Sequence, residues 1–235
     1  MTIVLTALPA RASLDNLNSK LPVEIEDAEP IDEGTWNAQL LSEFREEDEG
    51  AAQWRLVPEL RSGFAKRFQL TVRSPFLPGP AEERRGSGDV ETELQYLLLE
   101  APTGPSIGIS AMGIAPTGKE SKGVDSEFKI AVSQDLGSKD HRGHLNLAYD
   151  YNARALPDEE STFFQTVAGF SSRLHERLLL MADFVSAQQK TSVKTLNYGE
   201  LGVRYQIAKR FIGGLGASYG GKEFFLSRFG LQYDF

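Results

Sequence analysis

Residues 200–207 read Glu200-Leu201-Gly202-Val203-Arg204-Tyr205-Gln206-Ile207. Apolar side chains at 201, 203, 205 and 207 alternate with polar ones at 200, 204 and 206. Successive side chains of a β-strand point to opposite faces, so this segment has one apolar and one charged face. The same alternation runs through Trp36–Phe44, Trp54–Arg61, Phe68–Arg73, Val90–Tyr96, Glu127–Ser133, His144–Tyr151 and Arg228–Phe235. Segments near Ile107–Ala115, Thr162–Ser172, Leu178–Ala187 and Phe211–Tyr219 are strand-like but alternate less cleanly. No segment carries a convincing helical period. The set predicts an all-β chain of about twelve strands of roughly ten residues, the length that crosses a bilayer when tilted.

The connections carry a second signal. Counted from a first strand near Trp36, the odd ones are mostly long and polar: Glu46–Gln53, Ser74–Asp89, Pro116–Asp125, Ala153–Ser161 and Gln188–Lys194. The even ones are tighter: Ser62–Lys66, Ala101–Pro105, Gly137–Gly143, Arg173–Arg177 and Ala208–Arg210. Short periplasmic turns at one rim and longer extracellular loops at the other are the organisation of a transmembrane antiparallel up-and-down β-barrel.

A soluble barrel, apolar inside, would give the same alternation. Three features favour lipid outside. The polar face carries both signs of charge, as a wet lumen tolerates. Aromatic residues fall near strand ends (Trp36, Phe44, Trp54, Phe68, Tyr151, Phe211, Phe224, Phe235), where interfacial girdles form. A closed ring of about twelve strands is also too wide for side chains to fill as a soluble core. The residues expected to line the lumen are Glu59, Arg61, Arg73, Glu91, Glu93, Glu127, Lys129, Asp150, Glu200, Arg204 and Arg228. Their mixed signs predict pairing across the pore and weak ion selectivity. Pro58, inside a proposed strand, predicts a bulge or a strand end, because it has no N–H for the ladder.

The 235 residues contain no cysteine, which excludes disulfide scaffolds and Cys-based sites. No apolar run approaches the length of a membrane helix. The net charge is -8, and residues 24–49 hold eleven acidic residues against Arg45 alone. Without a basic stripe, nucleic acid is not expected as a partner. Residues 14–35, acidic and interrupted by Pro22 and Pro30, read as a flexible, solvated leader. Residues 1–13 either resemble the end of a truncated secretory signal peptide, with Ala10-Arg11-Ala12 as its small-x-small triplet, or are an ordinary terminus. Residues 36–235 are assigned to the barrel.

The chain ends Phe229-Gly230-Leu231-Gln232-Tyr233-Asp234-Phe235. This resembles the closing strand of bacterial outer-membrane barrels, in which a terminal aromatic belongs to the assembly signal. The resemblance makes Tyr233 and Phe235 that signal here, with outer-membrane lipid and the barrel-assembly machinery as partners.

Further motifs extend the likeness over roughly Trp54–Phe235. They are Val57-Pro58-Glu59-Leu60-Arg61-Ser62-Gly63-Phe64 before Phe68-Gln69-Leu70 and Ser74-Pro75-Phe76, then Gly86-Ser87-Gly88-Asp89-Val90 before Leu94-Gln95-Tyr96. Ala115-Pro116-Thr117-Gly118 and Asn146-Leu147-Ala148-Tyr149 follow. In order and spacing these resemble the outer-membrane transporter family named for the meta-pathway of phenol degradation. The resemblance implies a bacterial outer-membrane passive channel admitting small hydrophobic or aromatic compounds. The alternative is a closed barrel with a binding or structural role.

Enzyme chemistry finds little support. The histidines are His141, His144 and His175. His144 has Asn146, not Ser, two residues on, and no Gly-x-Ser-x-Gly occurs. Gly213-Gly214-Leu215-Gly216 lacks the Lys-Ser/Thr pair of a phosphate loop. No metal or other cofactor is expected.

Overall fold

The structure, a computed structural model, describes residues 14–18, 20–47, 52–78, 87–101, 103–119, 121, 123–153, 155, 160–188, 195–221 and 224–235. The signal-peptide reading of residues 1–13 lies outside them. The strands are β1 (Trp36–Glu47), β2 (Gln53–Ala65), β3 (Phe68–Arg73), β4 (Val90–Leu99), β5 (Ser106–Ala115) and β6 (Asp125–Asp135). They continue as β7 (His141–Tyr151), β8 (Thr162–His175), β9 (Leu178–Gln188), β10 (Thr195–Ala208), β11 (Phe211–Tyr219) and β12 (Phe224–Asp234). Each strand pairs antiparallel with its neighbours in sequence, and β1 pairs with β12, from Asn37 opposite Asp234 to Glu47 opposite Phe224. The ring is closed, so no sheet edge is left to unpaired backbone. His141 and His175, expected in short turns, stand at the ends of β7 and β8.

Side-chain alternation sets inside from outside. In β10, Leu201 is 64 % exposed on the outer face and Arg204 is 0 % exposed on the inner one. Trp36, Trp54, Tyr151, Phe211 and Phe235 all face out. Phe224, expected in the interfacial girdle, points inward instead and is buried against Tyr198, with ring centroids 4.5 Å apart. Pro58 causes no bulge against β1, where it sits in register opposite Leu40. Its missing N–H faces the other neighbour, just beyond the point where the β2–β3 ladder ends at Glu59–Arg73.

The largest departure from expectation is at residues 14–35. Instead of lying solvated outside, this segment fills the lumen. Asp15 pairs with Arg173 at the short-turn rim. The chain then climbs to its inner tip around Lys20–Glu24, returns past Glu29 beside Arg142, and leaves at the same rim through Gly34 to β1. Leu14, Leu17, Val23 and Ile25 pack with inward-facing Val167, Leu179, Met181, Val185 and Ile212 into one apolar cluster.

Candidate functional site: the occupied lumen

The lumen wall has two chemistries. Strands β2–β7 turn mainly charged and amide side chains inward. Strands β8–β12 add an apolar stripe from Leu179 and Ile212 to Leu196, Phe224 and Leu226.

All eleven residues expected in the lumen face it. Ten are buried, and Asp150 is half-buried at the vestibule of the long-loop rim. Their pairing runs along the wall and into the inserted segment more than across an open pore. Glu59 holds Arg61 at 2.7 Å and Arg73 at 3.3 Å. Arg73 reaches Glu93 at 2.5 Å and Glu91 at 3.6 Å. Lys129 lies 3.0 Å from Glu127 and 3.5 Å from Glu93. Arg228 joins Glu43 at 3.0 Å and Glu200 at 2.9 Å. Arg204 donates to the Asn16 carbonyl and, at 2.9 Å, to Gln232.

The inserted segment completes this network. Lys129 lies 2.9 Å from Glu26, and Arg228 also binds Glu24. Arg142 binds Asp27 and Glu29, each at 3.1 Å. Burial holds the Asp27 carboxyl up at about 6 despite Arg142. At Glu24, burial pushes upward, but Arg228 and Lys20 outweigh it and hold the group down at about 2.

Wall side chains also bind the segment's backbone. Glu24 N–H donates to Glu200 at 2.7 Å and Ile25 N–H to Asp183 at 2.9 Å. Ala28 N–H donates to Ser133 Oγ and Ile31 N–H to Gln69 Oε1, each at 3.0 Å. Asn146 binds both polar groups of Glu26, accepting from its N–H at 2.8 Å and donating to its carbonyl at 2.9 Å. Gln95 donates to the Asp27 carbonyl at 3.0 Å. Buried backbone groups need such partners, because leaving one unpaired costs about as much as a lost hydrogen bond.

Glycines clear the space. A Cβ at Gly216 would lie 2.4 Å from the Pro22 carbonyl oxygen, and one at Gly108 would lie 2.4 Å from the Ala28 carbonyl. The run Gly213–Gly216 therefore makes room for the segment at Gly214 and Gly216, where Leu21 and Pro22 press on the wall. Among the described residues, vestibules of about 730 Å³ at the short-turn rim and about 640 Å³ at the long-loop rim flank the segment. Between them lies a void of about 10 Å³ bordered by Lys20, Glu24, Glu26 and Lys129. That is room for about one water.

His144 is buried, with Nδ1 3.1 Å from Ser133 Oγ and 3.6 Å from Asp27, and Nε2 3.0 Å from Ser171 Oγ. It lines neither vestibule. Among the described residues, no group of three or more His, Asp or Glu side chains is placed to hold a metal ion. At the closing strand, Tyr233 and Phe235 make an edge-to-face contact at 5.0 Å, and Phe235 N–H donates to the Trp36 carbonyl at 2.9 Å. Asn146, Asp183, Gln69, Gln95 and Arg142 were not among the residues expected to line the lumen, although Gln69, Gln95 and Asn146 lie in the motifs quoted for the family resemblance. Their signal was an inward register position opposite an acidic segment, which has meaning only once that segment is inside.

No protein-family model and no curated protein matches the sequence. Solved structures do. The NanC porin superposes with a TM-score of 0.63 at 11 % identity, over 83 % of this chain and 98 % of that one. The KdgM porin, in complex with disordered oligogalacturonate, gives 0.61 at 11 % identity, over 84 % and 99 %. An outer-membrane channel from Pseudomonas putida F1 gives 0.60 at 13 % identity, over 91 % and 100 %. What this chain shares with them is the fold, the closed antiparallel barrel of the bacterial outer membrane.

Proposed function

We propose that the protein is a passive outer-membrane channel for small solutes, held shut at rest by residues 14–33. The observation that carries this reading is the lumen itself: vestibules at opposite rims are separated by the inserted segment and not by the barrel wall. Wall strands do not cross the pore, so moving that segment would join the vestibules without breaking the barrel ladder. The short-turn rim would face the periplasm. The Tyr198–Phe224 pair in the long-loop vestibule supports solutes that bear a hydrophobic or aromatic group, the class implied by the family resemblance. Assembly through the closing strand, with Tyr233 and Phe235 as the recognised aromatics, belongs to the same reading.

The void of about 10 Å³ favours a second reading, a closed barrel with a binding or structural role. Planar-bilayer conductance separates the two. The folded state is first verified by heat-modifiable gel mobility. The channel reading expects rare discrete steps from the native chain and frequent ones from Leu21→Asp, which puts a charge where Leu21 packs on Gly214 and Gly230. Folded protein without steps in both forms would leave the closed-barrel reading.

A further inference from the structure

We propose that the lumen is a receptor for extended acidic peptides, and that residues 22–31 are its resident occupant. This deepens the channel reading by naming a solute class, and it rests on that reading for the ligand's route.

Three independent features of the wall fit a peptide and not a sugar or a simple hydrocarbon. The first is recognition of the backbone. Asn146 binds the N–H and carbonyl of one residue, as a neighbouring strand would, while Gln95, Gln69 and Ser133 bind the backbone further along. None of these contacts depends on the occupant's side chains. The second is recognition of charge. Lys129, Arg228 and Arg142 each meet a carboxylate of the segment: Glu26, Glu24 and Glu29. The third is an apolar wall for alternate residues, where Val23 and Ile25 join the cluster of Val167, Met181 and Val185. The pattern Val23-Glu24-Ile25-Glu26 thus presents apolar groups to one wall and carboxylates to cations. Glycines at 108 and 216 admit the backbone where any other residue would collide with it.

A free peptide with the same alternation can satisfy the same groups once the segment yields. The tether gives the resident segment an effective concentration on the order of millimolar, so an incoming peptide competes poorly until the tether is cut.

The test cuts it after folding. Glu33 and Gly34 are exposed at the short-turn rim, and a protease recognition sequence between them allows the complete, folded chain to be nicked. The Leu21→Asp form is nicked in parallel so that its weakened fragment can be washed out. If that form does not fold, exchange of the retained native fragment is followed instead. The probe is a fluorescent peptide of residues 20–31, Lys-Leu-Pro-Val-Glu-Ile-Glu-Asp-Ala-Glu-Pro-Ile. Its control carries Gln for Glu24, Glu26 and Glu29. Binding is read by fluorescence anisotropy and, separately, as block of conductance.

The expected result is saturable binding of the acidic peptide, at least tenfold weaker binding of the neutral control, and loss of binding in Asn146→Leu. Equal affinity for both peptides would overturn the proposal, and so would absence of binding or exchange at the nicked barrel. Conductance steps from a nicked barrel that binds no peptide would refute the peptide receptor and leave the channel standing. Peptide binding without any steps would do the reverse.

Discussion

The α-carbon of Gly216 faces the carbonyl oxygen of Pro22 so closely that a Cβ added to it would lie 2.4 Å from that oxygen. Backbone stands on both sides of this contact, so no rotamer change can relieve it. Gly216→Val should push the inserted segment off the wall while leaving the outer face of β11 untouched. Bilayer recordings should show more frequent opening, with unchanged heat-modifiable mobility. Gly113→Ala serves as control, since nothing lies within 4 Å of its added Cβ. Equal behaviour of the two variants would mean that the wall yields instead.

Lys129 is shared by Glu26, Glu127 and Glu93 at 2.9, 3.0 and 3.5 Å. Lys129→Met leaves three carboxylates facing one another out of water. Breaking a buried pair from one side costs about 3–5 kcal/mol, and guanidinium unfolding of the barrel in vesicles should show a loss of that size. Adding Glu26→Gln should return part of it, because one of the stranded charges is then gone.

Proton linkage has a definite sign at Asp27. Its carboxyl is held at about 6 when seated, against an ordinary value of 3.8. The seated segment therefore favours the protonated acid. The stability Asp27 lends to closure is complete below 3.8 and is lost as pH rises through about 6. Glu24, held at about 2, stays ionised across that window. Open probability should rise from about pH 4 to about pH 7, and Asp27→Asn should flatten the profile. A profile unchanged in Asp27→Asn would assign the effect to another group.

On β10, Val203 faces lipid and Gln206 faces the lumen. Val203→Arg should cost about 2–4 kcal/mol if it lies near the bilayer midplane, and Gln206→Arg much less. Equal losses in unfolding free energy would reverse the assignment of faces.

Phe235 turns its ring outward beside Tyr233 while its N–H binds the Trp36 carbonyl across the β1–β12 seam. Phe235→Ser keeps the backbone bond and removes the ring. If the ring is recognised during assembly, the fraction of heat-modifiable barrel in cells should fall while refolding in detergent stays normal. Parallel losses in both would mean that the ring serves stability alone.

Strand β10 was legible because its two faces meet two uniform media, lipid at Leu201 and a polar lumen at Arg204. Strand β9 was blurred for a physical reason. Its inward Leu179, Met181 and Val185 meet the leucine, valine and isoleucine of the inserted segment, so, Asp183 apart, both faces of the strand are apolar. Phe224 misled in the same way, as an aromatic at a strand end that has an aromatic partner inside. The segment itself reads as solvated by composition, because its acidic residues find their counter-charges far along the chain. Glu26 and Lys129 are separated by 103 positions. Local pattern reports the medium a residue meets only when that medium is lipid or water. It is silent when the medium is another part of the same chain.

Residues 14–33 go in and come out by the same rim, bending back at a tip inside the wall. A strand threaded from end to end could leave only by drawing a terminus through the pore. A folded-back loop can be withdrawn like a drawer, pivoting where Gly34 adopts a left-handed φ of 79°. Among the described residues, the chain passes from contents to shell at one place, Gly34. Emptying the lumen in that way would require breaking the segment's ion pairs, its backbone hydrogen bonds and its apolar packing on the wall, with every rung of the barrel ladder left in place.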